Sequence, residues 1–269
     1  MTDFEAIKRQ QQHTWALGDF AMIGWNTVYP GELLCEAVDL RAGERVLDVA
    51  TGSGNTALSA ARRNCDATGI DYVPALIERA RQRAAVEHLS AKFEVADCEE
   101  IPFADANFDV VLSVYGSMFA PDAQRAAGEL LRVCRSGGRI GMANWTPDGF
   151  WGQTFALVAQ YLPPPAGVRA PAEWGTEKRL TELFGQAVAA TRVARRSALF
   201  RFRSSAHWIE VFSRYFGPII RVRETLDDKR RKDFFLELDA TLNRFNVSGD
   251  DTLVVSADYL EVVMTKRLS

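Results

Sequence analysis

The sequence predicts an α/β chain in which a mostly parallel sheet is covered by helices on both faces. Three observations carry that expectation. Residues 43–145 alternate short β-rich runs with helical patterns. The β-rich runs are largely apolar without strict alternation, as strands covered on both faces are. Helix-start and helix-stop residues punctuate them at the right places. The expected strands are residues 45–49, 67–70, 92–95, 109–114 and 138–144, with helices over 55–63, 74–88 and 122–135 between them. Pro74 suits a first helical turn, Asp122 an N-cap, and Gly137–Gly138 a helix stop followed by a turn.

Outside this core the pattern loosens. Residues 1–42 read as a helical cap holding Trp15, Phe20, Trp25 and Tyr29. After Trp145 a helix is expected, then the proline-rich "YLPPPAGVRAP", a helix over 177–184 and an arginine-interleaved run over 189–202. Helices over 206–215 and 228–245 precede a last strand over 252–265. The expectation is one domain, residues 43–269, with the cap before it and a substrate-side insertion over 146–185.

Composition narrows the function classes. The 269 residues are 47% hydrophobic and 25% charged, with a formal charge of −3, which gives no general attraction to nucleic acid or anionic membrane. No apolar run reaches the ~20 residues that span a bilayer, and the polar N-terminus does not read as a secretory signal. Cys35, Cys65, Cys98 and Cys134 lie far apart, as do His13, His88 and His207. That argues against a zinc site or a disulfide framework. A cytoplasmic, metal-free protein is expected.

The chemistry concentrates at strand ends. The stretch "VLDVATGSG" places a glycine turn, Ala50–Thr51–Gly52–Ser53–Gly54, directly after a strand, with Asp48 at its mouth. Glycine turns at that place commonly cradle phosphates, yet a carboxylate there repels them. In a parallel sheet, Asp71, Asp97 and Ser113 point from successive strands into the same cleft. Asp71, followed by Tyr72, suits the two hydroxyls of a ribose. Asp97, supported by the Asp97–Cys98 backbone, suits an exocyclic amine. The free N–H groups of the helix at Asn55 suit a carboxylate, and Asp48 suits an ammonium. S-adenosylmethionine meets all these demands and carries no phosphate.

Four blocks, "VLDVATGSGNTALSAA", "ATGIDYVPALIERAR", "FEVADCEEIPFADANFDVVLSVYGSMFAPD" and "LLRVCRSGGRIGMANW", resemble those of the class I S-adenosylmethionine-dependent methyltransferases. The likeness is to the small-molecule group that includes the quinone-biosynthesis C-methyltransferases. It covers about residues 40–145 and departs at Ala50, where the family has glycine. It implies a Rossmann-like, doubly wound sheet of seven strands, the last antiparallel, and Asp48, Gly52, Asp71, Asp97 and Ser113 as cofactor contacts. A nicotinamide dinucleotide site is the nearest rival, but Asp48 would face its pyrophosphate.

Tyr115 and His13 are the candidates for substrate-side catalytic groups. The aromatic residues Trp15, Trp25, Tyr29, Trp145, Phe150 and Trp151 would line an apolar pocket or pack the cap onto the domain. The arginines near 195–203 and "KRRK" at 229–232 read as solvated faces, and His207 as a capping residue. No "NPPY"-type tetrapeptide follows the fourth strand, which disfavours amino-group methylation. The expected activity is methyl transfer to carbon or oxygen of a small, partly apolar molecule. A catalytically silent cofactor-binding scaffold is the alternative.

Overall fold

A computed structural model describes residues 3–268. The cap comprises α1 (Phe4–Ala16), α2 (Ala21–Gly24), a 3-10 turn at Trp25–Thr27 and α3 (Val28–Ala37). Then come β1 (Arg45–Val49), α4 (Asn55–Arg62), β2 (Asp66–Asp71), α5 (Pro74–Val86), β3 (Ala91–Val95) and β4 (Phe108–Val114). They are followed by α6 (Ala123–Val133), β5 (Cys134–Trp145), α7 (Phe150–Tyr161) and α8 (Glu177–Phe184). The chain ends with β6 (Val188–Phe202), α9 (Ser205–Tyr215), α10 (Gly217–Thr225), α11 (Asp228–Arg244) and β7 (Leu253–Lys266).

The strands form one seven-stranded sheet in the order β3-β2-β1-β4-β5-β7-β6. β1 to β5 are parallel, and β7 inserts antiparallel between β5 and β6. The doubly wound sheet with an antiparallel last strand is therefore present as expected. Central β1 is buried at four successive positions, Val46 to Val49, which is why they are apolar without alternation except at Asp48. The strand order reverses between β1 and β4, and the cleft opens there at the carboxyl ends of both strands.

Edge strand β6 explains the interleaved arginines. Its even-numbered residues Ala198, Phe200 and Phe202 face the core, while the edge carries charge that discourages pairing with another sheet. Arg195 pairs with Asp148 and Asp258, and Arg196 with buried Glu261. In the 229–232 run, Lys229 pairs with Asp233 and Arg231 with Asp228. These are structural ion pairs.

Two features exceed the sequence reading. Helix α10 was not expected, because its start at Gly217–Pro218 resembles a loop signal; proline instead occupies the first turn. The helices α9 to α11 also form a second insertion, between β6 and β7, beside the one expected over 146–185. Among the described residues no helix is long and apolar enough to cross a membrane.

Ala50 has φ +54°, in the left-handed region where a side chain costs about 1–2 kcal/mol. The glycine usual at this position thus relieves strain as well as making room. Ala50→Gly should stabilise the protein by about 0.5–1 kcal/mol, less than the full relief because glycine adds unfolded-state freedom. A urea midpoint lower than that of the parent protein would contradict this.

Candidate active site

The turn after β1 is built by two carboxylates. Asp48, at 1% exposure, accepts the Thr51 hydroxyl and, at 3.0 Å, the Ala57 N–H. Gly54, which precedes α4, has φ +88° and no side chain to cap the helix, so Asp48 supplies the capping carboxylate from the strand. A Cβ on Gly54 would lie 3.0 Å from Ala80 and 3.1 Å from Phe93. Asp71 at the end of β2 accepts Gly52 N–H and Val73 N–H, both at 2.9 Å. The turn is thus held from below by one acid and from the side by the other.

Around it lies a cleft of about 990 Å³, its open side included. Asp48, Ala50, Thr51, Gly52, Ser53, Asp71, Tyr72, Asp97 and Cys98 all line it. The expected contact Ser113 does not. Its hydroxyl donates to Val49 O and accepts from Ser117 N–H, so it ties β1 to the turn after β4 behind the cleft wall. Gly54 also lies off the wall and shapes the turn. Asp48 lines the cleft, but the contacts of its Oδ2 lie within the turn, so it acts first on the loop.

Several lining residues escaped the sequence reading. Lys8 and Gln11 come from α1, beside the expected Trp15, and Glu99 and Pro121 from the loops after β3 and β4. Arg83 of α5 donates to Ser53 O at 2.7 Å and to Asn55 Oδ1 at 2.6 Å, fixing the turn from outside. Asn55 in turn donates to Gly24 O and Thr27 Oγ1, joining the turn to the cap. The signal for α1 was its i, i+3, i+4, i+7 face of Lys8, Gln11, Gln12 and Trp15. That face is polar, so a search for apolar periodicity passes over it.

The charge of the cleft decides its ligand class. Its acidic and basic lining is four carboxyl groups, Asp48, Asp71, Asp97 and Glu99, against the single ammonium of Lys8. Such a surface suits a cation and opposes a pyrophosphate. Burial drives Asp48 up to about 7 and Asp71 up to about 6, against hydrogen bonds that pull both down. A cationic ligand that accepts no further acid and donates hydroxyls to Asp71 relieves both. The residues present therefore fit S-adenosylmethionine: acids for ribose and ammonium, apolar Leu76, Ala96 and Pro121, and a lone lysine already engaged by Asp97 and Glu99.

The match to known proteins agrees. Residues 46–138 match the family model described as a methyltransferase domain. A demethylmenaquinone methyltransferase of Thermus thermophilus is 33% identical over 153 residues, 54% of this chain and 70% of that protein. The chain belongs to the class I S-adenosylmethionine-dependent methyltransferases, and S-adenosylmethionine is its cofactor. An uncharacterized protein of Mycobacterium tuberculosis is 41% identical over 227 residues, 83% of each chain. Among solved structures, the YcgJ protein from Bacillus subtilis superposes with a TM-score of 0.63 at 20% identity, covering 90% of this chain and all of that one.

The two catalytic candidates of this methyltransferase fare differently from the cofactor set. His13 is exposed on the outer face of α1 and does not line the cleft. Its place three residues from Gln10, off the 8–11–12–15 face, turns it to solvent. Tyr115 does line the cleft, with φ +55°, and its ring stacks on Trp145 at 3.6 Å between centroids. Burial pushes its phenol well above the ordinary value, and its hydroxyl is buried without a partner. Burial holds this phenol neutral, and its stacked ring forms part of the cleft wall.

The raised carboxyls give a pH signature. A folded-state pKa raised above the ordinary aspartate value of 3.8 means that the contributions of Asp48 and Asp71 to stability are fully present below that value and are lost as pH rises through 6 to 7. The cofactor-free protein should therefore melt at a higher temperature at pH 6 than at pH 8, and Asp48→Asn should flatten the dependence. A melting profile that is unchanged by the substitution would refute the assignment. Asp71→Ala should weaken S-adenosylhomocysteine binding about ten-fold or more in calorimetry, since bonds to a charged acceptor contribute about 1.5–3 kcal/mol.

Proposed function

We propose that this methyltransferase acts on a small, partly apolar molecule, at carbon or oxygen. One observation carries the proposal. Beside the cofactor cleft lies a second chamber of about 410 Å³, which shares Trp15, Phe20, Thr27, Tyr115 and Phe119 with it. The rest of its lining is Ile23, Trp145, Trp151, Phe155, Phe200, Phe212 and Phe216. No lining side chain carries a charge. A charged amine acceptor would lose its hydration there with no carboxylate and only ring faces to offset the loss, whereas a planar apolar acceptor stacks on the rings at no such cost.

The expected aromatic set divides on inspection. Trp15, Trp145 and Trp151 wall the chamber, and Phe150 is wholly buried behind it. Trp25 and Tyr29 face outward at 56% and 67% exposure. The acceptor wall also draws on both insertions: Trp151 and Phe155 come from α7, and Phe212 and Phe216 from α9 and its end. Swapping 146–185 alone should thus change acceptor preference only in part. The Thermus relative is named for demethylmenaquinone, which supports carbon as the methylated atom.

S-adenosylmethionine supplies a methyl group activated on a positively charged sulfur. The chain's own residues orient the acceptor against that end of the cleft and exclude water from it, so that alignment contributes much of the rate. Lining residues of the acceptor chamber include no group able to take a proton at neutral pH. The acceptor must therefore ionise on its own, as a phenol or enol of low pKa can.

The test is formation of S-adenosylhomocysteine with a panel of naphthols, hydroquinones and amines. Phenolic or enolic acceptors should turn over and amines should not. Phe155 lines only the second chamber, so Phe155→Asp should leave S-adenosylhomocysteine affinity within about two-fold while reducing turnover at least about ten-fold. Cofactor binding with no turnover of any acceptor would favour the silent scaffold instead.

A further inference from the structure

Helix α1 crosses the far end of the cofactor cleft, and one lysine holds it there. Lys8 is 7% exposed, an unusual burial for this residue type. Its Nζ lies 2.9 Å from Asp97 Oδ2, 3.3 Å from Glu99 Oε2 and 2.8 Å from Glu5 Oε1. One turn further on, Gln12 Nε2 donates to Tyr72 O at 2.5 Å. Lys8, Tyr72, Asp97 and Glu99 all line the cleft, so both ties fasten α1 to its wall. Glu99, 1% exposed, is fixed in turn by the Asp122 N–H at 2.8 Å, and Asp97 Oδ1 accepts Glu99 N–H at 2.9 Å.

Asp97 is the acid assigned to the adenine amine, and Lys8 occupies its other oxygen. We propose that Lys8 is a positioning residue for the cofactor: its contact with Asp97 and Glu99 fastens α1 over the adenine end, and cofactor exchange requires that contact to open. The inference rests on the assignment of Asp97 to the adenine end of the site. Lys8 touches no reacting atom. Its ammonium keeps two facing carboxylates compatible and makes the helix that carries Gln11 and Trp15 part of the cleft wall. Burial alone would favour neutral Lys8, but its bonds to Glu5 and Asp97 outweigh this and hold it charged.

Trp15 in the cleft provides the readout. Stopped-flow tryptophan fluorescence would measure association and dissociation of S-adenosylhomocysteine in the full chain, and hydrogen exchange would follow α1. Lys8→Met should speed dissociation about ten-fold or more, the loss expected for charge-assisted bonds. It should also abolish the protection of α1 amides by ligand, and Lys8→Arg should restore much of both. Because Lys8→Met leaves Glu99 buried and unpaired, the double variant Lys8→Met/Glu99→Gln is measured beside it; a glutamine still accepts the Asp122 N–H. Dissociation within two-fold of the parent rate in the folded double variant would overturn the proposal while leaving the cofactor site intact. A parent protein that binds no S-adenosylhomocysteine would overturn the site assignment and this proposal together.

Discussion

The paired carboxylates Asp48 and Asp71 hold the turn between β1 and α4, and the site is organised around that constraint. A turn containing Ala50, Gly52 and Gly54 at positive φ has little local reason to keep one shape. Asp48 caps α4 from beneath and Asp71 takes the Gly52 N–H from β2, so neighbouring strands fix the loop. Arg83 and Asn55 extend the same network outward to α5 and the cap. The cost is two buried carboxyls whose pKa values are driven upward. That cost falls when a cationic, hydroxyl-bearing ligand arrives, which makes the loop complementary to its cofactor in charge as well as in shape.

From that loop the molecule divides into two environments. On one side the cleft carries an excess of carboxylates; on the other the acceptor chamber is aromatic and uncharged. Tyr115, strained at φ +55° and stacked on Trp145, stands at the boundary with Trp15, Phe20 and Phe119. Strained backbone is retained where surrounding structure imposes it, and here it turns a ring into the partition between donor and acceptor. The buried phenol of Tyr115 illustrates why position at a strand end does not by itself give a catalytic role. A base needs solvent or a partner to stabilise its charged form, and this hydroxyl has neither.

The motif-bearing half was legible from the sequence because its constraints are local. Asp48, Gly52, Asp71 and Asp97 follow strand ends within a regular β–α alternation, and the topology of parallel sheets sends all strand ends to one side. Ser113 shared that position but faces the β1 backbone, since alternate residues of a strand point to opposite faces and a half-turn decides which one is seen. His13 was misplaced for a related reason: a helix two residues out of phase turns a side chain to solvent.

What the sequence by itself determined is therefore the sheet, its turn and the chemistry of the cofactor, each set by short-range pattern and strand order. Only the tertiary structure decided which residues close the site. Lys8 and Glu99 lie 91 positions apart and meet in the cleft wall. The acceptor chamber combines Trp15, Trp145, Phe200 and Phe216 from the cap, the sheet and the second insertion. Aromatic residues that pack a core and those that wall a cavity are alike in sequence, because burial selects the same side chains in both. Only the placement of elements distant in the chain leaves space between them.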